Sequence, residues 1–144
     1  MYEGIIDGHG VVMEFGVRWG QNLALFEAFR GMHEPFNHSR RIVGFDTFEG
    51  FPSVHEADGD ALDIQVGELG VTRDYEAYLD AVLDYHEQES PIAHIRKYEL
   101  VKGDATKTVP KCLEGHPDTI IALAHFDIDL YEPTRHPLAA IRAL

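Results

Sequence analysis

The chain has 144 residues, of which 44% are hydrophobic, enough for a single domain with one hydrophobic core. Its 25 acidic and 12 basic residues give a formal net charge of −13 without a basic stripe, which excludes nucleic acid as a partner because a phosphate backbone would be repelled. No apolar run approaches the ~20 residues that cross a bilayer, and the N-terminus has no signal-like pattern, so we predict a cytoplasmic protein without membrane contact.

Few motifs of common enzymes occur in the sequence. Cys112 is the only cysteine, which excludes an intrachain disulfide and a cysteine-based zinc cluster and fits a reducing compartment. There is no GxSxG motif and no HExxH pair, and the segment GDATKT lacks the glycine spacing of a phosphate-binding loop. Of the nine histidines, only His125, beside an acidic pair, is a candidate for chemistry.

The segment 11–22, VVMEFGVRWGQN, predicts a strand, a glycine-containing loop and the start of a helix. Its apolar residues up to Val17 are typical of a strand buried on both faces, and Gly16 and Gly20 allow a tight turn and a close approach to a ligand. Glu14 is unusual in such a strand, because an unpaired buried carboxylate is costly. We therefore expect Glu14 at the strand end, facing a polar ligand group. The alternative is an ordinary strand-to-helix turn.

A helix and a second strand follow. Apolar residues recur at helical spacing from Gln21 to about Met32, and residues 42–45 form a second apolar strand that ends in Asp46. Two strands joined by a helix pair in parallel. In dinucleotide-binding folds an acid at this place binds ribose hydroxyls, usually about 20 residues after the glycines, whereas Asp46 comes later. The alternative role for Asp46 is to cap a turn.

The middle of the chain is less regular. Residues 53–70 predict a surface excursion or a mobile lid with solvated acids, because they combine irregular spacing with charged side chains, namely His55, Glu56, Asp58, Asp60 and Asp63. An amphipathic helix then begins near Tyr75, and Thr72 or Asp74 is placed to cap it.

A third acid follows a third strand. Residues 98–101 are predicted to be a strand that leads to Asp104. This is the edge at which ligands bind in open parallel sheets, so the acids after successive strands have a common explanation. Residues 106–113 predict a short helix that ends at a glycine and a proline.

Two more acids follow the fourth predicted strand, residues 120–126. Asp127 and Asp129 are two positions apart, so on an extended backbone they point to the same side, roughly 7 Å apart. Such carboxylates repel each other unless a cation or a proton separates them, which favours a site for Mg²⁺ or Ca²⁺. The alternative is a pair of acids that cap a helix beginning near Glu132 and Pro133.

Four segments, MEFGVRWG, GFDTFEGFP, VKGDATKTVP and HFDIDLYEPT, occur in this order and resemble the macrocin O-methyltransferase family. The members of this family are S-adenosylmethionine-dependent enzymes that methylate sugar hydroxyls of natural products. The resemblance covers nearly the whole chain and is weakest over residues 53–97. It implies the α/β, Rossmann-like fold of class I methyltransferases, a mostly parallel sheet with helices on both faces. It also implies S-adenosylmethionine as cofactor, a divalent cation such as Mg²⁺, and a small-molecule glycoside as acceptor.

The resemblance also assigns roles to individual residues. Glu14 and Gly16 would lie against the methionine part of the cofactor, and Asp46 would hold the ribose. Asp104 and Ala105 would lie beside the adenine. Further cofactor contacts are predicted for neighbouring residues of the same motifs: Phe15, Gly20, Asn22 and Thr47.

By the same resemblance, Asp127 would be a magnesium ligand and Asp129 the general base. A sugar hydroxyl is a poor nucleophile, so a cation that lowers its pKa and a carboxylate that takes its proton would both promote methyl transfer.

One departure from the family concerns the length of the chain. The family usually has a pair of adjacent acids after the next strand, whereas this sequence stops at Leu144, and elements that the fold normally has at both ends are absent. We therefore expect residues 1–144 to be one domain that is an incomplete portion of a longer enzyme, truncated after the fourth strand. An unprotected apolar edge at that strand and an incomplete metal site would follow.

Two other functions stay open. An NAD-dependent or nucleotide-sugar-dependent oxidoreductase uses a related sheet, but it would need a full GxGxxG motif where this sequence has EFGVRWG. A non-catalytic remnant that still binds cofactor or a partner is the second alternative. The sequence leaves the oligomeric state open, and a homo-oligomer is compatible with it.

Overall fold

The computed structural model describes residues 1–59 and 64–142, which form a parallel β-sheet with helices on both faces. The four strands are β1 (Val11–Phe15), β2 (Ile42–Asp46), β3 (Tyr98–Lys102) and β4 (Ile121–Phe126). They lie in the order β3-β2-β1-β4, and every neighbouring pair is parallel. Because β2 and β3 lie on one side of β1 and β4 on the other, the strand order reverses beside β1.

The main helices are α1 (Gln21–His33), α2 (Tyr75–Gln88), α3 (Ala105–Gly115) and α4 (Tyr131–Ile141). Short 3-10 helices occupy Tyr2–Ile5 and Glu56–Asp58. In the two described ranges, no helix combines the length and the apolar character needed to span a bilayer. The observed bounds agree within a residue or two with the bounds predicted from the sequence. The exception is the first strand, which stops at Phe15, so that Val17 is buried in the loop after it.

The core consists of two clusters, one on each face of the sheet. On one face, Val12 and Ile42 pack with Leu23 of α1 and Leu83 of α2. The other cluster joins β1 and β2 to α3, with the buried residues Met13, Phe15, Val43, Phe45, Val109 and Leu113. Successive strand residues thus serve opposite faces, as expected where helices cover both. The predicted three-layer α/β fold is confirmed.

The fourth strand forms one end of the sheet. All six residues of β4 are partly exposed, and Ile120, immediately before it, is 62% exposed. Within the described ranges no strand pairs with the outer side of β4. The predicted apolar edge is therefore present in the described part of the chain.

Part of the acidic segment contacts α4 instead of being solvated. The carboxylate of Asp58 accepts a hydrogen bond from the backbone N–H of Tyr131 at 2.5 Å. It therefore caps the first turn of α4 from a distant part of the sequence. The acids of residues 53–70 are predicted to be solvated and not ligands. Asp58 is half-buried and caps α4 in addition, and Asp60 and Asp63 lie outside the described residues.

The start of α2 departs from the predicted cap. Asp74 occupies the cap position, but it has a left-handed conformation with φ of 60° and its side chain makes no hydrogen bond to the helix. The backbone N–H of Tyr75 instead donates to the carbonyl oxygen of Thr72 at 3.1 Å. The start of α2 is therefore capped by a backbone carbonyl and not by a side chain as predicted.

The packing of α1 against α2 encloses charged side chains. Arg30 donates to both carboxylate oxygens of Glu87 at 2.9 Å, and the ammonium of Lys97 lies 2.5 Å from Glu87. Glu27, only 3% exposed, has no hydrogen-bond partner among the described residues for either oxygen. Burial raises the pKa of Glu27 to about 8, because desolvation disfavours the charged form.

We expect Glu27→Gln to stabilise the protein increasingly as the pH rises. The carboxyl of Glu27 releases its proton near pH 4.5 in the unfolded protein and near pH 8 in the folded protein. The loss of stability that this group causes is therefore absent below about pH 4.5 and grows until about pH 8. Urea unfolding should give equal free energies for wild type and variant near pH 4.5, and a gain of roughly 1–3 kcal/mol for the variant at pH 8.5.

The matched control is Glu87→Gln. It removes the partner of Arg30 and Lys97 and should destabilise the protein by roughly 3–5 kcal/mol at both pH values, because it leaves buried cations unpaired. A free-energy difference between wild type and Glu27→Gln that does not change with pH would contradict the raised pKa of Glu27.

Candidate functional site

The carboxyl ends of the four strands open into one cleft. The space that it encloses, together with the part open to solvent, is about 750 Å³. It also lies beside β1, where the strand order reverses and where open α/β sheets bind their ligands. Its lining residues are Gly16, Arg18, Phe45, Asp46, Thr47, Gly50, Phe51, Pro52, Leu69, Gly103, Asp104, Ala105, Asp127, Ile128, Asp129, Leu130 and Pro133.

The structure brings most of the predicted site residues together at this cleft. Those that line it are Gly16, Asp46, Thr47, Asp104, Ala105, Asp127 and Asp129. The lining does not include Glu14, Phe15, Gly20 or Asn22. The cofactor contacts predicted for all of these residues stay predictions.

The glycines after β1 are required by the protein itself. Gly16 has φ of 91°, and a Cβ atom there would lie 2.3 Å from the carbonyl oxygen of Asp127. Gly20 has φ of 76°, and a Cβ atom there would lie 2.3 Å from the side chain of Leu79 on α2. Gly16 therefore lets the end of β4 approach the end of β1, and Gly20 makes room for a helix.

Asp46 ties two loops together at the floor of the cleft. Its Oδ2 accepts hydrogen bonds from the backbone N–H groups of Val17 at 2.7 Å and Arg18 at 2.8 Å. Its Oδ1 accepts from the backbone N–H of Phe48 at 2.6 Å. The turn-capping alternative is thus observed. It does not exclude ribose binding, since two carboxylate oxygens offer about four acceptor positions.

Asp104 also has a structural role. It caps α3, accepting from the backbone N–H and the hydroxyl of Thr106 at 2.9 and 2.7 Å. Burial alone would raise the pKa of Asp104, but hydrogen bonds from Thr106 and Lys107 outweigh it and lower the pKa. Asp104 is therefore ionised in neutral solution. Ala105, the first residue of α3, is buried against it.

The acids after β4 both lie at the cleft and are exposed. Neither accepts a hydrogen bond from the first turn of α4, whose cap residue is Leu130, so the alternative of a helix-capping pair is wrong for the described residues. Asn22 is 3.5 Å from an oxygen of Asp127, a long contact. The described residues contain no group of three or more His, Cys, Asp or Glu placed to hold a metal, so Asp127 and Asp129 do not form a complete cation site in this part of the chain.

Glu14 lies one residue before the end of β1 and is fully buried. Neither of its oxygens has a hydrogen-bond partner among the described residues, and the unpaired Nδ1 of His125 is 3.7 Å away. Burial raises the pKa of Glu14 to about 8, an effect that Asn22 partly offsets and that Asp127 and Asp46 reinforce. This orphaned carboxyl lies directly behind the loop that forms the cleft wall.

Phe15 belongs to the hydrophobic core. Its ring stacks on Phe45 at 5.2 Å and on Phe126 at 4.4 Å between centroids. The three rings form a layer under the cleft, so Phe15 supports the site from below.

Sequence reasoning missed two features of the cleft. One is its apolar wall, which the loops after β2 and β4 supply through Phe51, Pro52, Ile128 and Leu130. The other is Arg18, which has a left-handed backbone with φ of 49° and lines the cleft. Arg18 occupies a place where glycine-rich nucleotide-binding loops have glycine, and that departure was the signal available in EFGVRWG.

The described strands and cleft have the arrangement of class I methyltransferases, and solved structures agree. The chain is similar to the structure of CalS11, described as a calicheamicin methyltransferase, with 50% sequence identity, a TM-score of 0.96 and coverage of 99% of this chain. A second, apo structure of CalS11, described as TDP-rhamnose 3'-O-methyltransferase in calicheamicin biosynthesis, gives 45% identity and a TM-score of 0.82 over 99% of this chain.

The resemblance to sugar O-methyltransferases is thereby confirmed, as is the predicted fold class. No family model matches the chain, and no match to a curated protein was found. The chain spans 56% and 53% of the lengths of the two CalS11 chains, about half of each.

We expect Asp46→Ala to lower the free energy of unfolding by about 2 kcal/mol. The substitution leaves the backbone N–H groups of Val17, Arg18 and Phe48 without their acceptor, and each unsatisfied donor is costly where water does not reach it. Urea unfolding measures the loss. Asp118→Ala, at an exposed position, should change the free energy by less than about 0.5 kcal/mol; an equally small effect at Asp46 would show that the three bonds do not hold the loops.

Proposed function

We propose that the chain forms the cofactor-binding part of an S-adenosylmethionine-dependent O-methyltransferase that methylates a sugar hydroxyl of a natural product. The observation that carries the proposal is the cleft at the reversal of strand order, with acids after three of its strands and apolar side chains between them. The similarity to CalS11 supports a glycoside acceptor, and the description of CalS11 as acting on TDP-rhamnose supports a nucleotide sugar in particular.

The cleft suits the proposed cofactor by charge. S-adenosylmethionine carries a sulfonium and an ammonium group, and the carboxylates of Asp46, Asp104, Asp127 and Asp129 face the cleft. Cations are stabilised near such a group of acids. The orphaned carboxyl of Glu14 adds a buried acceptor behind the wall.

Each region of the cleft has a proposed contact. Gly16 would lie against the methionine part, Asp46 and Thr47 against the ribose, and Asp104 with Ala105 against the adenine. Glu14 would also lie against the methionine part, and Phe15, Gly20 and Asn22 would make further contacts with the cofactor. When bound, S-adenosylmethionine supplies an electrophilic methyl group.

Asp129 is the proposed general base. It is exposed at the cleft, and no hydrogen bond from another described side chain occupies its carboxylate, so an oxygen of Asp129 is free to take the proton of the sugar hydroxyl. Proton removal makes the hydroxyl oxygen a better nucleophile. Asp129 is in the connection between β4 and α4, and a carboxylate placed beside the acceptor hydroxyl favours the alignment that transfer requires.

We propose separately that the site binds a divalent cation and that Asp127 is one of its ligands. Mg²⁺ is commonly bound by one or two carboxylates together with substrate oxygens and water. Because the described residues supply only the pair Asp127 and Asp129 at the cleft, no step of the proposed reaction depends on the cation.

Calorimetric titration with S-adenosylhomocysteine and, separately, with NAD tests the class of cofactor. We expect binding of S-adenosylhomocysteine and none of NAD, because Arg18 replaces the glycine that would let a pyrophosphate approach the backbone. Binding of NAD without binding of S-adenosylhomocysteine would favour the oxidoreductase alternative.

Asp129→Asn should lower the rate of methyl transfer to TDP-rhamnose at least about 100-fold, because the amide cannot take the proton. The affinity for S-adenosylhomocysteine should change less than about twofold, since the amide is nearly isosteric. Radiolabelled methyl transfer and calorimetry measure the two quantities, with Asp118→Asn as the matched control.

Addition of EDTA to the wild type in the same assay should slow transfer, because a bound cation would lower the pKa of the sugar hydroxyl. An unchanged rate would show that Asp127 is not a ligand of a cation that the reaction uses. Wild-type protein that binds S-adenosylhomocysteine and yet transfers no methyl group with Mg²⁺ present would favour the non-catalytic alternative.

A further inference from the structure

Arg18 has a costly backbone conformation. The backbone N–H of Gly20 donates to the carbonyl oxygen of Val17 at 2.8 Å, which closes a tight turn with Arg18 at its second position. Its φ of 49° is one that glycine, asparagine and aspartate adopt readily in such turns. For arginine the left-handed conformation costs about 1–2 kcal/mol. A glycine would be more stable at this position.

Contacts on both sides hold the turn in this conformation. The carboxylate of Asp46 accepts the backbone N–H groups of Val17 and Arg18. The hydroxyl of Tyr75 donates to the carbonyl oxygen of Trp19 at 3.0 Å, and the two rings meet edge to face at 4.8 Å. The side chain of Arg18 is thereby presented at the cleft from a fixed point.

The other charged residues that line the cleft around Arg18 are all acidic in the described part of the chain. The charged residues that line the cleft in the described part of the chain are Arg18 and four acids: Asp46, Asp104, Asp127 and Asp129. Nearby lysines are engaged elsewhere, Lys102 with Glu49 and Glu76 and Lys107 with Asp104. Arg18 forms no ion pair within the described residues. The cleft therefore offers one cation among several anions.

We propose that the guanidinium of Arg18 binds the carboxylate of the cofactor's methionine part. The inference rests on the proposed function. The acids suit the cationic groups of the cofactor, and Arg18, two residues after the cleft-lining Gly16, is the matching group for its one anion. A guanidinium binds a carboxylate through two parallel hydrogen bonds, a geometry that lysine does not reproduce.

A diphosphate of a nucleotide-sugar acceptor presents the same oxyanion chemistry to a guanidinium. Two features favour the carboxylate. Arg18 is in the loop that follows β1, on the side of the cleft that Gly16 lines. The acids Asp127 and Asp129 that follow β4 would repel a diphosphate more strongly than a carboxylate, because a diphosphate carries more negative charge.

The test is calorimetry of wild type, Arg18→Gly and Arg18→Lys with S-adenosylhomocysteine and with 5'-methylthioadenosine, which lacks the amino acid part. Arg18→Gly should bind S-adenosylhomocysteine roughly 10- to 100-fold more weakly than wild type, and Arg18→Lys should lie between them. All three proteins should bind 5'-methylthioadenosine equally. Arg18→Gly should also unfold at the same or a higher urea concentration, because glycine relieves the strained φ, so a loss of affinity cannot come from a loss of fold.

The outcomes separate the inference from the proposed function. Wild type that fails to bind S-adenosylhomocysteine would overturn the proposed function. Wild type and Arg18→Gly that bind it equally would overturn the inference alone. Titration with TDP tests the diphosphate: if Arg18→Gly weakens TDP binding and leaves S-adenosylhomocysteine binding unchanged, Arg18 serves the acceptor and the carboxylate assignment is wrong.

Discussion

The cleft depends on the pairing of β1 with a parallel strand at each of its edges. β2 and β4 hold β1 in a register that places Phe15 level with Phe45 and Phe126, so the three strands end together above one layer of stacked rings. The backbone has to leave the sheet at this level in three adjacent places. Gly16, Asp46 and Asp127, the residues that follow the ring layer, therefore all reach the floor of the cleft.

The acids around this floor look alike in the sequence but have different physical situations. Asp46 accepts three hydrogen bonds from the backbone, and Asp104 caps a helix. Asp129 is exposed at the cleft, whereas Glu14 is buried without a partner. An acid that already holds the backbone is suited to position a ligand, and an acid exposed at the cleft is suited to exchange a proton. The proposed division between cofactor binding and chemistry follows from this difference.

The regular elements and the shared position of the acids could be predicted from the sequence, because buried strands and amphipathic helices have distinct periodicities and parallel strands end at one edge. What the sequence could not show arises from contacts between distant segments. The cap that Asp58 provides for α4 joins positions 73 residues apart. The left-handed conformation of Arg18 likewise depends on Asp46, 28 residues away. Hydrogen bonds between such distant positions leave no local pattern in the sequence. The class of enzyme was nevertheless identified, through the resemblance to known motifs.

The three hydrogen bonds accepted by Asp46 also bear on how this site is able to diversify among related proteins. A side chain that both shapes two loops and lines the cleft cannot be exchanged to alter ligand preference without deforming the loops as well. The apolar side chains of the cleft wall only line the cleft, because they form no hydrogen bonds that would hold a neighbouring loop. These residues are Phe51, Pro52, Ile128 and Leu130. Variation in substrate preference is therefore expected to concentrate on that wall, with the polar floor inherited unchanged.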